Sequence, residues 1–238
     1  MFHIKDLSVS IAGKKILHNI SCDFKPGKTY AILGPNGSGK STLASAIMGH
    51  PSLTLSRTSI LSLHKKSLTK LAPNKRAHLG IFLSLQSPIT LAGVTVFDLL
   101  RVALEKRVDP VTLHKHIQAY AQELHIKDDL LKRSLNDGFS GGEKKKFEAL
   151  QAVALQPTFA LFDEIDTGVD VDALKTIAKF LKKHLPRHAT LVFITHSARL
   201  LQYIKPDAVL VIKNGRLVKT GTAILAQHIE KNGFENIQ

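Results

Sequence analysis

Thr29-Tyr30-Ala31-Ile32-Leu33-Gly34-Pro35-Asn36-Gly37-Ser38-Gly39-Lys40-Ser41-Thr42 is the stretch from which the fold is read. Its first five residues have the apolar character of a short strand, and residues 41–48 have helical composition, ended by Gly49-His50-Pro51. Between strand and helix, Gly34 to Thr42 matches G-x-x-x-x-G-K-[ST]. The spacing has a physical reason. Glycines let successive backbone N–H groups converge on phosphate oxygens without Cβ clashes, and the helix N-terminus adds partial positive charge. Lys40 can then reach the β- and γ-phosphates of a nucleotide, Ser41 offers a hydroxyl to a magnesium ion, and Thr42 adds an α-phosphate contact.

A phosphate loop of this kind needs a carboxylate for the metal and a group that orients water. Phe159-Ala160-Leu161-Phe162-Asp163-Glu164 supplies both on one short apolar strand. Asp163 would hold Mg²⁺ through a water at the carboxyl edge of the sheet, and Glu164 is the candidate general base. Phe139-Ser140-Gly141-Gly142-Glu143 opens a helix about a hundred residues after the phosphate loop. Ser140 as N-cap and the free backbone donors behind it form a second anion-binding turn. Gln86 ends the strand before a helical region, and His196 ends the strand after the acidic one. Neither carries much signal alone; their order in the series singles them out.

The 238 residues are 44% hydrophobic and 22% charged, enough for a sizeable core. One cysteine, Cys22, excludes a disulfide framework and a cysteine-ligated cluster, and fits a reducing compartment. No apolar run is long enough to span a bilayer, and Met1 is followed at once by strand-like sequence, so a soluble cytoplasmic protein is expected. Net charge is +14; residues 25–97 hold nine Lys or Arg and no acid. That suits phosphate ligands or an acidic partner. No aromatic residues are interleaved with the lysines as a stacking platform for single strands requires, so nucleic acid is not the expected partner.

Alternation over 2–11, a turn at Gly13-Lys14-Lys15 and a second strand over 16–24 predict an antiparallel pair, with one more strand within 53–63. Residues 80–85 read as a buried strand. Helical spacing takes over from 94 to 135, with Phe97, Leu100, Ala103 and Leu104 on one face and Leu113, Ile117, Tyr120, Ala121 and Leu124 on another. A helix follows Gly142, and Asp170 caps the next. Strands over 190–195, 208–213 and 216–220 and a helix capped by Thr222 complete the chain, the last two strands joined at Asn214-Gly215. The fold class is α/β.

This ordered set of motifs resembles the ATP-binding cassette (ABC) ATPases over nearly the whole chain. The resemblance implies a P-loop NTPase fold with an N-terminal antiparallel β subdomain. The catalytic core would span 1–87 and 143–238, and a helical insertion over 88–142 would carry the signature turn. It implies ATP and Mg²⁺ as ligands, ATP hydrolysis as activity, and an ATP-dependent homodimer. Gln86 would be the Q-loop residue, near the metal and relaying to partners. Ser140, Gly141 and Gly142 would bind the γ-phosphate held by the opposite subunit. Thr167-Gly168-Val169-Asp170 would be the D-loop, and His196 the switch histidine.

Within that family, five runs resemble the SufC ATPases of the SUF iron–sulfur cluster assembly machinery. They are Leu130-Leu131-Lys132-Arg133-Ser134, Asp137-Gly138-Phe139-Ser140-Gly141-Gly142-Glu143-Lys144-Lys145-Lys146, Asp163-Glu164-Ile165-Asp166-Thr167-Gly168-Val169-Asp170 with Val171-Asp172-Ala173-Leu174 behind it, Tyr203-Ile204-Lys205-Pro206-Asp207, and Gly233-Phe234. That implies SufB-like and SufD-like scaffold proteins as partners. The alternative is the ATP-binding subunit of a membrane transporter. Three positions depart from the pattern. Ile11 replaces an adenine-stacking aromatic, Lys146 an arginine, and Ser197 a tyrosine.

Overall fold

The computed structural model describes residues 1–196, 199–235 and 237; Ser197 lies outside them. In chain order the elements are β1 Phe2–Ile11, β2 Lys14–Phe24, β3 Thr29–Leu33, α1 Lys40–Met48, β4 Leu53–Leu55, β5 Ile60–Leu63, β6 Lys66–Ser67, α2 Pro73–His78 and β7 Ile81–Ser84. There follow α3 Val96–Leu104, α4 Pro110–Glu123, α5 Asp128–Leu131, α6 Gly141–Leu155, β8 Phe159–Asp163 and α7 Val171–His184. Last come β9 Thr190–Ile194, α8 Arg199–Tyr203, β10 Ala208–Lys213, β11 Arg216–Gly221 and α9 Ala223–Asn232.

Two sheets organise these strands. The antiparallel one has the order β2-β1-β5-β6, with β4 also on β1. The second has the order β11-β10-β3-β9-β8-β7, in which β10, β3, β9, β8 and β7 run parallel and β11 is antiparallel. Strand β8 shows why its run is apolar throughout. Phe159 and Leu161 pack toward the antiparallel sheet and α1, and Ala160 and Phe162 pack toward α6 and α7. A parallel strand covered on both faces needs both sets of side chains. Phe2 stacks on Phe159 at 4.5 Å and ties the antiparallel sheet to the central one, while Phe162 stacks on Phe193 of the neighbouring strand at 4.9 Å within the central sheet.

Several expectations are corrected. Residues 53–63 form two strands, not one: Ser59 N–H donates to Ser56 C=O at 3.1 Å and turns the chain between β4 and β5. Ala103 is exposed; the buried stripe of α3 is Val96, Leu100 and Leu104, an i, i+4, i+8 series. The helical region also contains one isolated strand-like bridge, Leu91 to Leu135. Thr222 precedes α9 but makes no capping hydrogen bond. Short helices α2 and α8 were not expected. Among the described residues, no helix is long and apolar enough to cross a membrane.

Candidate functional site

Because β3, β9, β8 and β7 are parallel neighbours, the loops that follow them emerge at one edge of the sheet. That places the Gly34–Thr42 loop after β3, His196 after β9, Asp163 and Glu164 at the end of β8, and Gln86 just beyond β7.

The phosphate-loop residues fall as expected around the start of α1. Asn36 and Gly37 are exposed at its tip, and Gly34, Ser38, Gly39 and Lys40 are buried beneath. A Cβ on Gly34 would collide with the Ile212 carbonyl, so the loop can lie this close to β10 only with glycine there. Lys40 Nζ donates to the carbonyls of Gly34 at 2.8 Å and Pro35 at 2.9 Å. Burial pushes its ammonium pKa down, countered in part by Glu164 and Asp163 nearby. A cation held by neutral carbonyls, with carboxylates close, is available to an incoming anion.

Asp163 is buried, and its Oδ1 has no hydrogen-bond partner. Desolvation raises its pKa, eased by a hydrogen bond with Ser41. An orphaned carboxylate oxygen beside a serine hydroxyl is a donor set that fits a hard divalent cation.

Glu164 is also buried, and it adopts φ +53°, a left-handed conformation uncommon for a residue with a side chain. Its backbone N–H donates to Ile194 C=O at 2.9 Å, which fixes the turn. Gln86 Nε2 donates to its Oε2 at 2.9 Å, and the Thr167 hydroxyl donates to the same oxygen at 3.3 Å. His196 Nδ1 lies 3.4 Å from Oε1. Sequence reasoning placed Gln86, Glu164 and His196 in one series; the fold brings all three into contact.

The Ser140 turn behaves differently. Ser140 caps α6 in a capping box: its hydroxyl accepts from Glu143 N–H at 3.3 Å, and Glu143 Oε2 accepts from Ser140 N–H at 2.8 Å. Gly141 approaches the Gly168 carbonyl so closely that a Cβ there would come to 3.2 Å. Among the described residues, no hydrogen bond joins Ser140, Gly141 or Gly142 to the phosphate loop. Asp170 uses its carboxylate to cap α7, accepting from Ala173 N–H at 2.8 Å.

Sequence reasoning missed several supports. Thr195 donates to Asp166 Oδ2 at 2.7 Å, holding the loop after β8 against the end of β9. Gly215 N–H donates to Ser38 C=O at 2.9 Å, and Gly215 C=O accepts from His18 N–H at 2.8 Å, so the β10–β11 hairpin tip buttresses the phosphate loop. Lys145 and Glu148 on α6 contact the residues leading to Gln86. Only the Asn214-Gly215 turn had a sequence signal. Lys146, at the arginine position, donates to the His125 carbonyl at 3.3 Å.

Comparison with known proteins bears on the family and the fold. The family model described as "ABC transporter" matches residues 17–167. "Vegetative protein 296" of Bacillus subtilis strain 168 is 43% identical over 241 residues, covering 99% of this chain and 92% of that protein. "Probable ATP-dependent transporter ycf16" of Antithamnion sp. is 41% identical, covering 99% of this chain and 96% of the relative. Among solved structures, a dimeric ATP-binding cassette in a post-hydrolysis state bound to ADP and Pi superposes with a TM-score of 0.79 at 18% identity, over 93% of this chain and 98% of that one.

Proposed function

The chain belongs to the ABC transporter family of ATP-hydrolysing cassettes, and from that premise we propose a role for each residue at the sheet edge. Gly34 to Thr42 wraps the triphosphate, and Lys40 turns from the Gly34 and Pro35 carbonyls to the phosphate oxygens. Ser41 and Asp163 would hold Mg²⁺ with Gln86 near it, and the ion would neutralise phosphate charge when bound. Glu164 accepts the proton of the attacking water, positioned by Gln86 and Thr167. His196, beside the other carboxylate oxygen, faces the γ-phosphate. The observation that carries this reading is the convergence of Gln86, Thr167 and His196 on one buried carboxylate.

Two copies facing head to tail complete the site. In the single chain the Ser140 turn makes no hydrogen bond to the phosphate loop, and its N-terminal donors suit an anion presented by a twin molecule. Similarity to a dimeric cassette supports that arrangement. ATP⁴⁻ with its metal bridges two basic surfaces, and hydrolysis reopens them, so the output is motion. We place the division between a core of 1–87 with 143–238 and a helical part of 88–142, with α6 starting at their junction.

The finer reading is a SufC-like cytoplasmic ATPase that drives conformational change in a SufB–SufD-like scaffold during iron–sulfur cluster assembly. The runs 137–146, 163–174 and 203–207 support it. A groove of about 740 Å³ lined by Phe82, Leu83, Val102 and Leu155, in which His78, Lys106 and Arg107 outnumber Glu105, suits an amphipathic scaffold helix with an acidic edge. The second reading, the ATP-binding subunit of a membrane transporter, is favoured by the name of the Antithamnion relative.

Two experiments test these claims. Glu164→Gln should bind MgATP, lose turnover and accumulate as a closed dimer on size-exclusion chromatography; unchanged turnover removes Glu164 from the base role. Affinity capture from native lysate separates the partner readings: scaffold proteins in the soluble fraction support the first, and a membrane-embedded partner supports the second.

A further inference from the structure

Strand β7 is at the edge of the sheet, paired only with β8, and it ends at Ser84. The two residues beyond it, Leu85 and Gln86, have no strand beside them. A buried ion pair on α6 takes that place. Lys145 Nζ donates to the carbonyls of Leu85 at 3.0 Å and Gln86 at 3.3 Å, and to Glu148 Oε2 at 3.0 Å. The other Glu148 oxygen, Oε1, accepts from Leu85 N–H at 2.9 Å. Both side chains are nearly inaccessible, at 4% and 7% exposure.

Stability does not account for such a pair. Burying two charges costs several kcal/mol per ion before attraction returns any of it, and apolar residues of similar volume are often neutral or better. The side-chain hydrogen bonds of this pair to the backbone all fall on one two-residue segment. Gln86, in that segment, donates to Glu164 at 2.9 Å. Helix α6 begins at the Ser140 turn. Gln86 therefore connects the helix behind the anion-binding turn to the carboxylate read as the base.

We propose that Lys145 and Glu148 are positioning residues for ATP hydrolysis: they clamp the Leu85–Gln86 backbone to α6 so that the Gln86 amide meets Glu164 only while α6 is in register. This rests on the reading of Glu164 as base. Displacement of α6 carries Gln86 with it, and the carboxylate loses one of the two donors on Oε2. Among the described residues, no hydrogen bond joins the clamp to the phosphate loop, so the loop's hold on the phosphates is spared.

The test is the double substitution Lys145→Met/Glu148→Met, which removes both charges and keeps the volume. Its kcat should fall about tenfold or more while KM for MgATP stays within about threefold, because orientation is lost and phosphate binding is not. A kcat within about twofold of wild type overturns the proposal. Amide hydrogen exchange gives a second measurement, made on the wild-type chain. Leu85 should exchange about a hundredfold more slowly than an open amide despite lying beyond the strand end, and exchange at the open rate also overturns the clamp. Glu164→Gln separates the two levels: unchanged turnover in that variant refutes the reading of Glu164 as base, while Leu85 protection still reports on the clamp.

Discussion

Gly215→Ala tests how the phosphate loop is held. Gly215 is at the tip of the β10–β11 hairpin with φ +71°, and its N–H and C=O join Ser38 to His18. A Cβ there would run into the Ile16 carbonyl backbone and come within 2.9 Å of His18 Cδ2. Two costs follow: about 1–2 kcal/mol for an alanine in the left-handed region and about 1–3 kcal/mol for overpacking against backbone that cannot swing aside. Reduced freedom of the unfolded chain returns about 0.4–1 kcal/mol. The net is about 1–5 kcal/mol, and a central value of about 3 kcal/mol is roughly 6–12 °C in Tm for a chain of this size. Gly13→Ala is the internal control, since Gly13 has φ +81° and a Cβ added there would meet nothing within 4 Å. It keeps the conformational cost and drops the collision, so it should lose at most about 1 kcal/mol. Differential scanning fluorimetry of both variants, with and without MgATP, reads the difference. Gly215→Ala should also respond less to nucleotide, because relieving the clash moves the Ser38 carbonyl. Equal Tm values for the two variants would refute the buttress.

Other perturbations give equally direct readings. Lys40→Ala removes a charge-assisted contact worth about 1.5–3 kcal/mol, so nucleotide affinity should fall about 10- to 100-fold in equilibrium titration. Asp163→Asn should stabilise the ligand-free chain at neutral pH. Burial raises the Asp163 pKa, the folded state binds more protons than the unfolded one, and wild-type stability falls as pH rises from the ordinary aspartate value through the raised one. The advantage of the asparagine should vanish as pH drops to that ordinary value, and the variant should lose the magnesium-dependent rise in Tm. Cys22 has its thiol pushed up to about 12, by burial first and by Asp23 second. Iodoacetamide at pH 7.5 should leave Cys22 intact in the folded chain and label it promptly in denaturant.

How much of this was legible in the sequence depended on whether the signal was local. The phosphate loop, the Asp170 cap and the Ser140 start of α6 are each decided within a few residues, and the structure has them where the sequence put them. The alternating runs of β1 and β2 and the apolar run of β8 follow from which faces are covered. What failed was non-local. In Lys144-Lys145-Lys146 nothing marks the middle residue as the buried one; only α6 packed on the end of β7 selects it. Arg76, buried without an acidic partner, is explained by the C-terminal carbonyls of α1, Ala46 and Ile47, which accept its guanidinium at 2.8 Å. Ala103 fits either face by size, and α3 turned its Val96–Leu100–Leu104 stripe inward instead. The pair β4–β5 is too short for periodicity to divide.

The polar atoms left unsatisfied are themselves informative about the site. Among the described residues, Ser38 Oγ in the loop after β3, Ser84 Oγ at the end of β7, Asp163 Oδ1 at the end of β8 and Asp166 Oδ1 in the loop behind it are buried without hydrogen-bond partners, as is Asn136 Oδ1 in the helical region. Each such atom costs about 1–3 kcal/mol relative to a paired one. Lys40 meanwhile directs its donors to neutral carbonyls, although Asp163 and Glu164 are close enough to shift its pKa. A core selected for stability alone would have joined the ammonium to the carboxylates. Keeping them apart leaves a cation facing one way and an orphaned anion facing another, across the mouth of a helix that adds its own positive end. A ligand carrying both phosphate and a divalent cation satisfies both at once; either half alone leaves the other unpaired. On the proposed assignment, the same arrangement that weakens the empty chain would make phosphate and metal binding mutually dependent, and titration of ATP with and without Mg²⁺ should show each strengthening the other.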